Sequence, residues 1–500
     1  MNRIHFLCME DMVPKNHLLR KIEKAIDWRF IYEEVEGLYG EERWGKPGVD
    51  PVSLFKIVML QYIYGIPSMR QMIREIEVNV AYRWFIGYDI DEHVPHFSTF
   101  GKNYTRRFAG TDVFERIFIR ILQEAASCGF LDTSAVFIDG THIKANANKK
   151  KNRKVEVEIP AKNYQKQLEE EIGVDRKAHD KKPLKKHNDD DNTPPPTKEI
   201  TQSTTDPECG LFHKGEHEKQ FAYIANTACD KYNFILDFEV GAGNLHDSVM
   251  FDDLYKRISK HYPKTEAIAV DAGYKTPWIM KQIIDSGKIP CVPYKRPMTK
   301  EGFFKKYDFV YDKFFDCYLC PENQVLRYST TNREGYKEYK SDPKICAHCP
   351  NLQKCTQSKS CQKLFTRHVW ANYMEIAEHC RYVPEYKEIY RQRKETIERV
   401  FADAKQKHGL RYTTLRGLQK VKMQVTLTFA CMNLKKLAKW KFGDTPFLLL
   451  ILSFVRKFFF IYEKTPYATH RTSFRLQSER REPKLPPFKC FRIPILLLLM

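Results

Sequence analysis

The amino-acid sequence predicts a multidomain α/β protein, in which an all-α N-terminal domain precedes a mixed sheet and a cysteine-rich insertion. Three observations lead to this prediction. Apolar side chains recur at helical spacing through the first 130 residues, strand-like and helix-like runs alternate between residues 220 and 293, and six of the 14 cysteines fall between residues 317 and 361. A chain of 500 residues is long enough for several such units.

Changes in composition set the expected domain boundaries. We expect five parts: a helical domain over residues 1–130, a first part of the sheet domain over 131–300, a cysteine-rich insertion over 301–380, further helices of the sheet domain over 381–441 and an atypical tail over 442–500. Residues 149–205 are dense in lysine and contain "HNDDDNTPPPT", so we expect a basic insertion there that is a loop or partly disordered.

The N-terminal domain has signals for short helices. "VDPVSLFKIVMLQYIYG" offers Asp50 as a helix cap and Pro51 as the first helical residue. "VPHFSTFGKNYTRRF" offers Ser98 as a cap for a short basic helix, which carries Lys102, Arg106 and Arg107. A basic helix after a tight connection is typical of a helix-turn-helix module, but an ordinary helical domain with a solvated charged face has the same pattern.

The charge of the chain favours a polyanionic partner. Lys and Arg outnumber Asp and Glu by 83 to 63, which indicates nucleic acid first and a membrane surface second, although a solvated surface also has this composition. We expect no signal peptide and no transmembrane helix, because the apolar run from Phe447 is interrupted by Arg456 and Lys457. Cysteines without a signal peptide indicate a reducing compartment.

Two apolar strands end on an aspartate followed by a small residue. These are "AVFIDG", which ends on Asp139, and "AIAVDAGY", which ends on Asp271. Functional groups collect at the carboxyl ends of strands in α/β sheets, although a single Asp there is more often a turn former or a helix cap. Two carboxylates that lie close together need a cation such as Mg²⁺, which prefers oxygen ligands.

A third acid is expected on a helix in "RKETIERVFADAKQKHGLRYTTLRGL". Glu398 shares a stripe with Lys394 and Lys405 beside the apolar face of this helix, so the acid could hold a metal while the lysines contact phosphate. Glu395 is the second choice for this acid. The alternative interpretation is a set of exposed salt bridges one turn apart, which are common on helices.

Together these motifs resemble the DDE transposases of bacterial insertion sequences, in the branch with an N-terminal helical DNA-binding domain. The resemblance covers roughly residues 1–440. It is carried by the motifs "SLFKIVMLQYIYG", "VPHFSTFGK", "FIDGTHIKANAN", "STTDPECG", "KQFAYIANTACD", "GNLHDS", "AVDAGY" and "ETIERVFADAKQKHGLRYTTLRGL".

The resemblance implies a ribonuclease H-like catalytic fold with Asp139, Asp271 and Glu398 as its three acids. It implies two Mg²⁺ or Mn²⁺ ions at these acids, which support cleavage of an element end and its transfer to target DNA. The Tyr and Arg of the family signature would fall at Arg391 and Lys394, where this chain departs from the pattern.

The same resemblance implies contacts with DNA, a homo-oligomer and a cytoplasmic, nucleoid-associated protein without a membrane segment. The partners would be the terminal inverted repeats and the target, both double-stranded. The N-terminal helices would read the repeats through Lys102, Arg106 and Arg107. Backbone phosphates would contact a second basic group: Lys394, Lys405, Arg411 and Arg416.

The cysteine-rich insertion contains two CxxC pairs at a spacing close to that of a zinc ribbon. "CYLC" holds Cys317 and Cys320, and "CAHC" holds Cys346 and Cys349. Four cysteine ligands would make the zinc structural. Three further residues are alternative ligands: His348, Cys355 and Cys361. A set of reduced structural thiols is the simpler alternative.

Three other functions are compatible with these motifs. An inactivated or domesticated transposase would act only as a sequence-specific DNA-binding protein. A structure-specific nuclease would use the same acids without joining strands. A membrane-associated basic protein would use only the positive charge.

Overall fold

The computed structural model describes residues 8–39, 48–158, 164–184, 197–214, 218–296 and 299–443. The apolar run from Phe447 and nearly all of the predicted tail lie outside these residues. No single helix in the described ranges is long and apolar enough to cross a membrane. Two adjoining helices, Pro51–Tyr64 and Met69–Val78, would be long and apolar enough if taken together, but the chain bends by 100° between them.

The N-terminal part is all helical, as predicted. Its helices are α1 (Met9–Met12), α2 (Leu18–Ala25), α3 (Phe30–Val35), α4 (Pro51–Tyr64), α5 (Met69–Val78), α6 (Val80–Ile86), α7 (Ser98–Asn103) and α8 (Val113–Ser127), with a 3₁₀ turn at Glu36–Leu38 and a π turn at Tyr104–Phe108. Asp50 caps α4 as expected, because its carboxylate accepts the Ser53 backbone N–H at 2.8 Å.

The predicted cap at Ser98 is wrong. Helix α7 begins at Ser98 itself, and its preceding residue, Phe97, makes no side-chain cap. The Ser98 hydroxyl instead contacts Nδ1 of His96 at 2.8 Å. Lys102 and Arg106 are exposed on this basic segment, whereas the Arg107 guanidinium lies 4.6 Å from the centre of the Tyr39 ring and is half-buried.

A mixed six-stranded sheet forms the second part of the molecule. Its strands are β1 (Ala135–Lys144), β4 (Gly210–Lys214), β5 (Glu218–Cys229), β6 (Ile235–Ala242), β7 (Ala267–Val270) and β8 (Ile289–Cys291), in the order β4-β5-β1-β7-β8, with β6 also paired to β5. Strands β4, β5, β6 and β1 pair antiparallel, whereas β1, β7 and β8 run parallel. Helices α10 (Asp247–His261) and α11 (Pro277–Asp285) connect the strands from β6 to β8.

The basic insertion contains regular structure where composition predicted a loop or disorder. Strands β2 (Asn152–Glu158) and β3 (Thr197–Ser203) form a two-stranded sheet, and α9 (Gln165–Ala178) lies between them in sequence. The Arg176 guanidinium donates to the Thr331 carbonyl at 2.7 Å, which ties α9 to the cysteine-rich part. Leu168 and Ile172 of α9 are buried with Trp370, so the prediction of a loop or disorder is wrong for this part of the insertion. Residues 159–163 and 185–196, which include nearly all of "HNDDDNTPPPT", lie outside the described residues.

The cysteine-rich part is a separate antiparallel sheet. Its five strands run in the order β13-β12-β11-β10-β9, and short helices follow β12. These elements are β9 (Val310–Asp312), β10 (Cys317–Leu319), β11 (Val325–Thr331), β12 (Tyr336–Lys340), α12 (Pro343–Cys346), α13 (Leu352–Cys355) and β13 (Leu364–His368). A small apolar core, which includes Tyr318 and Tyr339, lies on one face of this sheet.

The chain then returns to the mixed sheet through four helices: α14 (Ala371–Cys380), α15 (Pro384–Arg391), α16 (Ile397–Lys407) and α17 (Leu418–Phe442). Helix α17 packs against α2, α4 and α8 on one side and against β5 and β6 on the other. One apolar core therefore runs through the N-terminal helices, the mixed sheet and the last two helices. The predicted boundary near residue 130 separates two architectures but does not separate two cores.

The end of α16 touches the N-terminal helices at a close backbone contact. Gly65 has a φ of +67°, and a Cβ there would lie 2.7 Å from the Lys407 carbonyl oxygen. Beside it, the buried His408 ring donates from Nδ1 to the Tyr62 carbonyl at 2.7 Å. Burial lowers the pKa of His408 to about 4, and the positive charge of Lys435 acts in the same direction.

We expect this histidine to make the folded state sensitive to acid. The folded protein holds His408 neutral, whereas the unfolded chain protonates it near its ordinary pKa of 6.5. The unfolded state therefore binds more protons between about pH 6.5 and pH 4, and stability falls as the pH drops through this window. The loss should be on the order of 3 kcal/mol. Denaturant unfolding at several pH values should show it.

His408→Asn keeps a donor for the Tyr62 carbonyl but does not titrate. The variant should therefore lose much less stability than the parent protein between pH 7 and pH 4. His261→Gln, at an exposed position on α10, is the matched control and should retain the parent slope. Equal pH slopes for the parent protein and His408→Asn would contradict the prediction.

Candidate active site

The register of two parallel strands brings Asp139 and Asp271 together. Ile138 on β1 pairs with Val270 on β7. Asp139 directly follows Ile138, and Asp271 directly follows Val270. Four buried apolar residues precede each acid, so both strands are fixed in the core up to the point where the carboxylates emerge. The Asp139 side chain is 19% exposed, and the Asp271 side chain is 52% exposed. The sheet thus aligns the two acids that the sequence motifs singled out.

A buried arginine bridges these two carboxylates. The Arg393 guanidinium lies 2.5 Å from Oδ2 of Asp139 and 3.2 Å from Oδ1 of Asp271, and its side chain is only 5% exposed. Burial alone would lower the pKa of Arg393, but the charges of the two aspartates outweigh burial and raise it. The guanidinium therefore stays charged and offsets the repulsion between the acids.

The sequence did not predict Arg393, because the Arg of the family signature was expected one position later, at Lys394. It lies in a 3₁₀ turn at Gln392–Lys394 between α15 and α16, where it is buried, while Lys394 is exposed. Tyr390 lies one turn earlier, with its hydroxyl 3.4 Å from the Arg393 guanidinium. The available signal was the Tyr-x-x-Arg spacing of residues 390–393, which is displaced by one residue from the expected positions.

Glu398 lies in the first turn of α16 and is exposed. Helix α16 packs against β1 and β5, which brings it to the strand that carries Asp139. Burial raises the pKa of Tyr390, the Arg393 guanidinium beside it lowers this pKa, and the negative charges of Asp271 and Glu398 raise it. The runner-up acid, Glu395, is also exposed, and its backbone carbonyl accepts the Asn233 amide at 2.9 Å.

The described residues contain no group of three or more His, Cys, Asp or Glu side chains that is already arranged to hold a metal ion. At the aspartate pair, the Arg393 guanidinium supplies the positive charge. The donor chemistry of the aspartate pair nevertheless suits a hard divalent cation, because two carboxylates lie side by side. Glu398 does not join them in a group of three acids within the described residues. A cation bound there would neutralise the two carboxylates together with Arg393 or in its place.

A basic cleft of about 520 Å³ begins immediately after Asp139. Its lining residues are Gly140, Thr141, His142, Lys144, Phe212, Gln220, Lys405 and Arg411. Two of the predicted phosphate contacts, Lys405 and Arg411, therefore face the cleft. The segment after α16 is docked on β1, because the Thr413 N–H donates to the Lys144 carbonyl at 2.9 Å.

The other predicted DNA contacts lie outside this cleft. Arg416 is exposed and donates to the Asn146 carbonyl at 3.1 Å, whereas Lys102, Arg106 and Arg107 belong to the α7 segment. The cleft contributes two residues that the sequence analysis missed. Lys144 could have been found from its place at the end of β1, and His142 stacks on Phe212 with ring centres 3.5 Å apart.

Three of the four predicted zinc ligands line one small cavity in the cysteine-rich part. Cys320, Cys346 and Cys349 surround a space of about 30 Å³, and Cys355 completes the cysteine lining. Cys317 is buried on β10 and does not line this cavity. Neither Cys361 nor His348 lines it.

Two family models match the chain. A transposase domain (DUF772) matches residues 7–106, and a transposase DDE domain matches residues 319–438. The second range contains Tyr390, Arg393, Glu398 and Lys405, whereas Asp139 and Asp271 lie between the two ranges. No curated protein and no solved structure matches the chain.

A DDE domain implies a ribonuclease H-like fold, in agreement with the mixed sheet described above. The first match covers most of the N-terminal helices, and the second runs from the cysteine-rich sheet to α17. These two matches, in this order along one chain, support a DDE transposase of the insertion-sequence type.

Proposed function

We propose that this transposase cleaves DNA at the ends of an insertion sequence and joins the freed ends to target DNA, in a reaction that requires divalent metal ions. One observation supports this proposal most directly. Asp139 and Asp271 lie side by side, and Gly140, the residue after Asp139, lines a cleft that Lys144, Lys405 and Arg411 make basic. Acids that suit a cation and bases that suit phosphate thus adjoin each other.

Asp139, Asp271 and Glu398 would hold the metal, which when bound supplies Lewis acidity at the reacting phosphate. Lys405 and Arg411 bind backbone phosphates in the cleft and set the position of the strand relative to the two aspartates. Arg393 orients the carboxylates through one bond to each. Burial lowers the pKa of His142, and the charge of Lys405 lowers it further, so the cleft keeps a neutral ring at physiological pH.

The basic surface of the α7 segment has a separate role in this proposal. Lys102 and Arg106 are exposed there and would contact the terminal repeat, while the Arg107 side chain stabilises the segment through Tyr39. Because the reaction joins two element ends, the protein would act as a homo-oligomer on double-stranded DNA. A structural zinc in the cysteine-rich part would be separate from the reacting metals.

Incubation of the full-length protein with DNA that carries the element ends tests this function. With Mg²⁺ or Mn²⁺ we expect strand cleavage at the ends and joined products with a target plasmid, and neither with EDTA or with scrambled ends. Binding without cleavage in both metals would favour an inactivated transposase that only binds DNA. Cleavage of end and scrambled DNA alike, without joining, would indicate a nuclease.

A further inference from the structure

The four-cysteine cavity differs from the zinc ribbon expected from the CxxC pairs. The spacing of residues 317–320 and 346–349 predicts one pair from each motif. In the fold, however, one motif contributes a single cysteine, and the fourth cysteine comes from the end of α13.

Strand geometry explains why Cys317 is separated from the others. Successive side chains of a strand point to opposite faces, so residues three positions apart in extended chain face opposite ways. Cys317 begins β10, whereas Cys320 follows the strand and packs with Tyr318 at the small apolar core. Cys355 packs against the same core, and Cys317 does not.

The surroundings of the cavity suit thiolate ligands. The Gln324 backbone N–H donates to Sγ of Cys320 at 3.4 Å, in a tight turn where Asn323 has a φ of 55°. Lys363 lines the cavity and donates from Nζ to the Cys355 carbonyl at 2.7 Å, so a positive charge lies close to the sulfurs.

We propose that Cys320, Cys346, Cys349 and Cys355 form a structural site for a thiophilic divalent cation, with zinc as the natural occupant, and that Cys317 is not a ligand. A cavity of about 30 Å³ holds one ion or one water. No three of these sulfurs are yet arranged as a metal shell in the described structure, so binding would draw them inward by side-chain rotation.

Such a site would connect the β10–β11 turn to the segment after β12, which the Asn351 amide also joins by donating to the Glu322 carboxylate. Cys320 lies in the turn between β10 and β11, while the other three ligands lie in the α12–α13 segment after β12. Helices of four residues cannot be stable on their own, so a metal that joins them to the sheet would fix the whole segment. With four protein ligands the site has no open position for substrate.

Metal analysis of single-cysteine variants of the full-length protein tests this proposal. The protein is purified after growth with added zinc, and its metal content is measured by mass spectrometry. We expect one zinc per chain in the parent protein and in Cys317→Ser, and at least a tenfold lower content in Cys355→Ser. Cobalt substitution should give the sulfur-to-cobalt charge-transfer band in the parent protein and in Cys317→Ser but not in Cys355→Ser.

A Cys355→His variant covers the case in which Cys355→Ser does not fold. Histidine is itself a zinc ligand, so this variant should retain zinc but shift the cobalt spectrum. The proposal is overturned if the parent protein carries no metal, if Cys355→Ser keeps its full content, or if Cys317→Ser loses it. These results do not depend on cleavage or joining of DNA, so they are independent of the function proposed above.

Discussion

Asp139→Asn should reduce metal-dependent cleavage of element-end DNA by at least about 1,000-fold, equivalent to about 4 kcal/mol in the barrier. Asparagine has the shape of aspartate but carries no charge, so it binds a divalent cation much more weakly. Asp271→Asn should have an effect of the same order, because the sheet register gives the two acids equivalent places. Initial rates of strand cleavage in Mg²⁺ give the measurement.

DNA binding separates this effect from general damage. The cleft that holds Lys405 and Arg411 is unchanged by either substitution, so affinity for end DNA should stay within about threefold of the parent. Asp237→Asn is the matched control, since Asp237 lies on β6 of the same sheet and pairs with Arg257 at 2.7 Å. It should retain cleavage. An Asp139→Asn protein with more than a tenth of the parent rate would remove this acid from the chemistry.

The strands that carry the acids were predictable because their pattern is local. An unbroken apolar run such as Ala135–Ile138 is buried on both faces of the sheet, and the acid that follows it marks where the polar part begins. Asp271 follows the end of β7 as predicted. The prediction that the first strand ends on Asp139 is wrong, because β1 continues to Lys144 and Asp139 pairs with Thr227 of β5. The pairing of β1 with β7, which aligns the two acids, is not local and came only from the fold.

The cysteine and arginine positions depend on geometry that local patterns do not contain. CxxC spacing assumes a turn between the two cysteines, but Cys317 begins a strand and so faces away from the others. The Arg position assumes a continuous helix up to Glu398, but a 3₁₀ turn precedes α16 and Thr396 has a φ of −108° and a ψ of −101°. A shift of one residue in the helical period is enough to bury Arg393 in place of Lys394.

Arg393→Gln should destabilise the metal-free protein by about 2–3 kcal/mol, because it leaves two adjacent carboxylates without their shared positive charge. The effect should be smaller than for a fully buried pair, since the Asp271 side chain is 52% exposed and water screens it. Lys394→Gln is the matched control. It removes the same kind of charge from the next residue, which is exposed, and should change stability by less than about 0.5 kcal/mol.

Magnesium distinguishes this electrostatic role of Arg393 from simple packing. A cation that binds the folded carboxylates stabilises the protein in proportion to its occupancy, and it should compensate for the missing guanidinium. Addition of Mg²⁺ should therefore raise the melting temperature of Arg393→Gln more than that of the parent or of Lys394→Gln. Cleavage should still fall by about 100-fold, since the acids lose the bonds that orient them. Thermal unfolding with EDTA and with Mg²⁺ measures the first effect, and an equal Mg²⁺ shift in all three proteins would show that Arg393 does not balance the charge of the acids.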